Sequence, residues 1–312
     1  MKRKKFWIGV SLALCLLPVI AVIWHYKLIA LGWYRAGISS DEGRVALVSR
    51  LAVTIEAKPV EGIKNNLSGL SHNEHTDTLF AVINSPAQIA EITKDGDLLR
   101  LIPVLGIKDI EGISHVEDDV YVLFDERRQD IYRISLNENT REIDVANMPR
   151  LGLGIMLNNN RGFEGITWGK TDARMFVAKE KSPTLIFEIN GLTEWQSLHR
   201  KNDNKGAMNL QIHEWHPKQP YHRFMRDLSS LSLDNRTGHL LILSDESRLL
   251  IEYDKDANLV GIMPLWRGWH DLKRSIPQAE GATTDDQGNI YIVSEPNLFY
   301  RFERRETSRV DN

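Results

Sequence analysis

Apolar residues fall in short runs along residues 67–302, three runs to a group, bounded mostly by Asp, Asn or Gly. The first run of every group carries one phrase: apolar, Glu or Ser, Gly or Ser, apolar, hydroxyl. It reads Leu67-Ser68-Gly69-Leu70-Ser71, Ile110-Glu111-Gly112-Ile113-Ser114, Phe163-Glu164-Gly165-Ile166-Thr167, Leu228-Ser229-Ser230-Leu231-Ser232 and Ala279-Glu280-Gly281-Ala282-Thr283. A second run follows at Thr78 to Ile83, Val120 to Phe124, Met175 to Ala178, Leu240 to Leu243 and Ile290 to Val293. A third follows at Gln88 to Ile92, Ile131 to Ile134, Leu185 to Ile189, Leu249 to Tyr253 and Leu298 to Phe302. Runs this short, with Val, Ile, Tyr and Phe prominent, predict strands rather than helices.

The phrases start 43, 53, 65 and 51 residues apart, near the roughly 40–50 residues of a propeller blade. The pattern predicts an all-β chain folded as a β-propeller. The last group has three strands, and after Phe302 only a short charged and polar tail remains. An unclosed ring would leave an edge open to other chains. Arg44 to Lys58 places apolar residues at Val45, Leu47, Leu51, Val53 and Ile55. It predicts a strand that closes the ring by completing the last blade. Five blades is the simplest count. Six is the alternative if Gly191 to Arg226, with a candidate strand at Leu210 to Trp215, hides a degenerate blade. Residues 147–162 read as a polar surface loop.

The N-terminus has a different pattern. Met1-Lys2-Arg3-Lys4-Lys5 precedes nineteen residues, Phe6 to Trp24, without a charge. As a helix that run spans roughly the 30 Å hydrocarbon core of a bilayer. Four basic residues before it, against Lys27 and Arg35 after it, place the N-terminus in the cytoplasm. A cleaved signal peptide is the rival reading, but no convincing small-x-small site ends the run. The expected organisation is a cytoplasmic basic tail at 1–5, a transmembrane anchor at 6–24 and a tether at 25–44. A propeller domain at 45–305 and a polar tail at 306–312 follow. The chain is then a single-pass inner-membrane protein with its propeller in the periplasm, partnered with the lipid bilayer through residues 6–24.

Net charge is −3, which gives no reason to expect nucleic acid. The one cysteine, Cys15, lies in the apolar run, so the rest of the chain has no disulfide.

The chemistry is expected at two registers. The first strand of a propeller blade lines the central channel, so a residue recurring there forms a ring: Ser68, Glu111, Glu164, Ser229 and Glu280. The end of the second strand gives a second set: Asn84, Asp125, Glu180, Asp245 and Glu295. Like charges crowded together raise their pKa or recruit a cation, and a hard, oxygen-rich set favours Ca²⁺. The expected metal ligands are therefore Glu111, Glu164, Glu280, Asp125, Glu180, Asp245 and Glu295. Acidic residues at strand ends also serve as plain turn caps. Arg127, Arg128, Lys179, Lys181 and Arg248 accompany the second set; on the same face they would hold a small anion beside a metal. His72 and His115 share one register and read as structural. Ser68 and Ser229 could be nucleophiles only beside a base. No P-loop, Gly-x-Ser-x-Gly or His-Glu-x-x-His motif occurs.

The phrases Asp109-Ile110-Glu111-Gly112-Ile113, Gly162-Phe163-Glu164-Gly165-Ile166-Thr167 and Ala279-Glu280-Gly281-Ala282-Thr283, behind a short anchor, resemble the SdiA-regulated family of Gram-negative bacteria. This family is also called YjiK/CarP. The likeness covers about residues 45–305, and the chain is similar to enterobacterial YjiK-like members. It implies a periplasmic propeller on the inner membrane. The CarP branch is linked to calcium responses and likened to five-bladed phytases, which agrees with calcium at Glu111, Glu164 and Glu280. Ser68 and Ser229 interrupt the acidic ring that full symmetry would require.

Three functions follow as expectations. The first is a Ca²⁺-binding module that senses or binds a small anionic ligand or a periplasmic protein. The second is a metal-dependent hydrolase of phosphate esters, esters or lactones. The third is an interaction platform without metal.

Overall fold

The computed structural model describes residues 15–23, 25, 27–32, 46–154, 162–192 and 209–305. The basic tail 1–5, residues 6–14 and 24 of the apolar run, residues 26 and 33–44 of the tether and the tail 306–312 lie outside the described residues. Residues 15–23 are helical, as are 28–32. Among the described residues no helix is long and apolar enough to cross a membrane.

The strands run in chain order from β1 (Leu51–Pro59) through β2 (Leu67–Asn73), β3 (Thr78–Ile83), β4 (Gln88–Ile92) and β5 (Leu98–Leu105). Next come β6 (Ile110–Glu117), β7 (Val120–Asp125), β8 (Asp130–Ser135), β9 (Ile143–Asp144) and β10 (Arg150–Gly152). Then β11 (Phe163–Gly169), β12 (Arg174–Lys179), β13 (Leu185–Asn190) and β14 (Gln211–Glu214) follow. The last are β15 (Ser230–Asp234), β16 (His239–Ser244), β17 (Leu249–Tyr253), β18 (Leu259–Pro264), β19 (Ala279–Thr284), β20 (Ile290–Ser294) and β21 (Leu298–Arg304).

These pair into five sheets, and the fold is a five-bladed β-propeller. Blades 1 to 4 are β2-β3-β4-β5, β6-β7-β8-β10, β11-β12-β13-β14 and β15-β16-β17-β18; a short β9 extends the outer edge of blade 1. Blade 5 is β19-β20-β21-β1, so the N-terminal strand closes the ring by pairing antiparallel with β21. The candidate strand near 210–215 is β14, the outer strand of blade 3. The described part of Gly191 to Arg226 adds no sheet of its own. The surface loop expected at 147–162 needs correction. Its residues Arg150–Gly152 form β10 and pair with β8 as the outer strand of blade 2. Residues 155–161 lie outside the described residues.

The uninterrupted second strands have a simple cause. Each middle strand is buried on both faces, so successive side chains enter different cores. In β7, Tyr121 and Leu123 pack between blades 1 and 2, whereas Val122 and Phe124 pack between blades 2 and 3. In β16, Leu240 and Ile242 face blade 3, whereas Leu241 and Leu243 face blade 5. Five apolar clusters thus lie between the five neighbouring pairs of blades.

The phrase itself seals the ring at its centre. Its terminal hydroxyl accepts a backbone N–H from the next blade: Ser71 Oγ from His115 N (2.9 Å) and Ser114 Oγ from Trp168 N (3.0 Å). Thr167 Oγ1 accepts from Leu233 N (2.8 Å), and Thr283 Oγ1 from His72 N (3.2 Å). The Gly allows first strands to meet. A Cβ on Gly165 would lie 2.8 Å from Leu231 N, and one on Gly281 would lie 2.8 Å from the Gly69 carbonyl carbon.

Candidate functional site

Each Glu of the phrase sits at a β-bulge. In β11 the partner register steps from Phe163 to Gly165, skipping Glu164; in β6 it skips Glu111, and in β19 Glu280. A bulged residue stands outside the ladder and its side chain is re-aimed. All three carboxylates thereby line one cavity of about 280 Å³ at one end of the channel. Ser68 and Ser229 line it too, with Asn84, Glu180, Asp245 and Glu295 from the second set. The two registers therefore form one site.

Asp125 is the exception. It is the last residue of β7, opposite Ile110, where the other blades carry Ile83, Lys179 and Ser294. Its buried carboxylate accepts the Arg128 amide at 3.1 Å and caps its own hairpin. The next residue, Glu126, takes the place of Asn84, Glu180 and Glu295. Their four backbone amides donate to the carbonyls of Asp109, Asn66, Gly162 and Gln278, each the residue before a phrase. In blades 3 and 5 the strand's last residue, Lys179 or Ser294, is not acidic and the carboxylate follows it, whereas in blade 2 that residue is Asp125, an acid itself, which moved the expected ligand by one.

Sequence patterns also passed over Asp109, Glu126, Asp227, Glu246 and Gln278. Asp227, Glu246 and Gln278 line the cavity. Asp109, Glu111 and Glu126 each offer an oxygen within 4.8 Å of the others. The available signal was one residue further out on either side of the repeating registers. Asp109, Asp227 and Gln278 directly precede a phrase, and Lys181 and Glu246 directly follow a second-set residue.

The cavity is lined by eight carboxylates (Glu111, Glu164, Glu180, Asp227, Asp245, Glu246, Glu280 and Glu295) against one ammonium, Lys181. Lys181 Nζ is held by Glu180 (2.6 Å) and Glu246 (2.9 Å), and Arg226 also reaches Glu246 (3.2 Å). These partners hold Glu246 below the usual carboxylate range against the upward push of burial. Glu164, Asp245, Glu280 and Glu295 have no ion-pair partner among the described residues. Burial, then repulsion from Glu111, Glu126, Glu180 and Glu280, raises Glu164 well above its ordinary value. Burial, then Asp245 and Glu111, pushes Glu280 up to about 9. Burial pushes Glu111 up to about 7, although Asn84 Nδ2 donates to its Oε1 at 2.8 Å. Burial also raises Asp227 and Asp245.

The remaining candidates have other duties. Ser68 Oγ donates to the Glu111 carbonyl (3.4 Å) and Ser229 Oγ to the Ala279 carbonyl (2.8 Å), tying neighbouring blades. Lys179 is buried and donates to the carbonyls of Lys181, Ser182 and Pro183. Arg127 pairs with Asp109 at 2.5 Å, Arg128 donates through its guanidinium to the Gly106 carbonyl at 3.4 Å, and the Arg248 amide donates to the Asp245 carbonyl. His72 and His115 stand at the opposite mouth with Lys170 and Asp285. There burial pushes His115 down to about 4 and its ring meets the Asp118 carbonyl.

Solved structures of similar shape include a luciferin-regenerating enzyme, 12% identical, covering 81% of this chain and 80% of that one, with a TM-score of 0.48. A structure of the nidogen/laminin complex is 11% identical over 74% of this chain and 73% of that one, with a TM-score of 0.44. A catalytically inactive virginiamycin B lyase from Staphylococcus aureus with quinupristin is 14% identical over 76% of this chain and 65% of that one, with a TM-score of 0.42. Likeness at this level transfers no activity. The family model described as SdiA-regulated matches residues 44–303, and the chain belongs to the SdiA-regulated family.

Proposed function

We propose that this chain is an inner-membrane-anchored periplasmic propeller whose acidic mouth binds a divalent cation and so serves as a binding or sensing module. The observation that carries the reading is the charge balance of one cavity: eight carboxylates face one ammonium. Those carboxylates hold protons unless a cation replaces them. The donors are all oxygen or amide groups, with no Cys or His among the lining residues. That set suits Ca²⁺, which takes 6–8 oxygens, and not zinc. Glu111, Glu164 and Glu280 would hold the ion, with Asp109 and Glu126 at its blade 2 side. Asp125, spent on its hairpin, drops out of the ligand set.

The anchor is supported by the uncharged run 6–24 behind four basic residues, and the periplasmic side by that charge bias. Equilibrium dialysis of the detergent-solubilised chain against Ca²⁺ and Mn²⁺ tests the cation reading. Saturable binding below millimolar, lost in Glu164→Gln, supports it; no binding at millimolar levels removes it.

A second reading is favoured by size. A cavity of about 280 Å³ exceeds an ion's needs, since one water occupies roughly 30 Å³. The space beside a bound cation would admit a phosphate or ester group, whose oxygen the ion would polarise for hydrolysis. A phosphoester and ester panel, run with several metals and with Glu164→Gln, tests it. A flat panel removes it.

A further inference from the structure

A cavity outside the channel measures about 1690 Å³. Ordinary small-molecule pockets hold roughly 300–1,000 Å³. One wall is the propeller rim around Pro183 and Phe224, and the other is the N-terminal helical segment with Ile20, Ile23 and Ile29. Ile20 and Ile23 belong to the uncharged run 6–24, so the groove opens where that run would enter a bilayer. Ile29 remains 77% exposed on this wall.

The rim has a different character from the groove. Arg223 lines it, is exposed, and has no side-chain partner among the described residues. Lys181 and Arg226 stand nearby, already held by Glu246. An unpaired guanidinium lining an apolar groove suits a phosphate, which it binds through two parallel hydrogen bonds.

We infer that this groove holds an anionic phospholipid of the bilayer, with an acyl chain along the Ile23 and Ile29 wall and its phosphate at Arg223. The inference rests on the membrane-anchor reading for the source of the lipid, and it does not require a cation in the channel. Glu180, Lys181 and Glu246 line both cavities, so a bound headgroup would sit beside the acidic mouth.

The test uses the full chain in a neutral detergent, titrated with phosphatidylglycerol or phosphatidylcholine and read by native mass spectrometry. Phosphatidylglycerol is expected to bind at least tenfold more tightly. Arg223→Glu should abolish that preference, and Ile29→Glu should weaken both lipids at least tenfold while leaving the unfolding midpoint unchanged. Equal binding of the two lipids, or wild-type binding by Ile29→Glu, would overturn the inference. Recovery of the chain from the soluble fraction would overturn the anchor reading instead, and a phosphatidylglycerol preference in that preparation would leave the groove assignment standing.

Discussion

Asn84 Nδ2 donates to Glu111 Oε1 at 2.8 Å, joining the turn after the second strand of blade 1 to the bulged first strand of blade 2. This bond links the two registers at which polar residues recur. It also gives Glu111 a neutral partner, as Gln278 does for Glu280, where Glu164 has only other carboxylates near it. Asn84→Asp would put a further negative charge beside Glu111. In metal-free buffer it should raise the Glu111 pKa further, measurable by carboxyl-selective NMR, and lower the unfolding midpoint.

The pH dependence of the metal-free chain follows from the raised carboxylates. Glu111 and Glu280 hold protons in the folded state up to about 7 and about 9, whereas unfolded they release them near 4.5. The folded state then binds more protons, so stability is greatest at low pH and falls as pH rises from about 4.5 to about 9. The slope is at most about 1.4 kcal/mol per pH unit for each such group. Urea midpoints from pH 5 to pH 9 with chelator should fall, and saturating Ca²⁺ should flatten the decline. A midpoint rising across that window with chelator would contradict the electrostatic account.

The interblade hydroxyls predict a sharp difference between two similar substitutions. Thr167 Oγ1 is buried and accepts the Leu233 amide at 2.8 Å. Thr167→Val leaves that amide unsatisfied, at a cost of about 1–3 kcal/mol. Thr167→Ser keeps the acceptor and should cost less. Denaturant unfolding of both variants checks the order.

A buried carboxylate fastens the segment before β1 to blade 4. Glu252 is fully buried and accepts from Val48 N (3.0 Å) and His239 Nδ1 (2.5 Å). That partner raises the His239 pKa above 6.5. Its contribution is complete below the unfolded value and is lost as pH rises through the folded value. Glu252→Ala should cost about 3–5 kcal/mol and return His239 to an ordinary titration in NMR.

The propeller was legible because its cause is periodic. Middle strands buried on both faces need unbroken apolar runs, and Thr78–Ile83, Gln88–Ile92 and Leu249–Tyr253 are strands with the expected bounds. The closing role of β1 followed from a blade left one strand short. The site was legible only where it repeated. Glu111, Glu164 and Glu280 recur in phase, and the bulge that turns them into the channel recurs with them. Glu126 escaped because the last residue of β7, Asp125, is itself acidic, where β12 and β20 end on Lys179 and Ser294. Asp227 and Glu246 escaped because they lie on loops, where neither period marks a face. The short β10 was invisible for a related reason: three residues, Arg150–Gly152, carry too little pattern to be told from a loop.

The measurement that bears most directly on the account is thermal unfolding of the full chain in detergent, first with chelator and then across a Ca²⁺ titration, for wild type and Glu164→Gln. A ligand of the native state alone stabilises by about 2.7 kcal/mol at a hundredfold excess over Kd. The account predicts a midpoint that climbs with Ca²⁺ in wild type and stays fixed in Glu164→Gln. A wild-type midpoint that ignores Ca²⁺, or an equal climb in both proteins, would contradict a cation in the channel mouth.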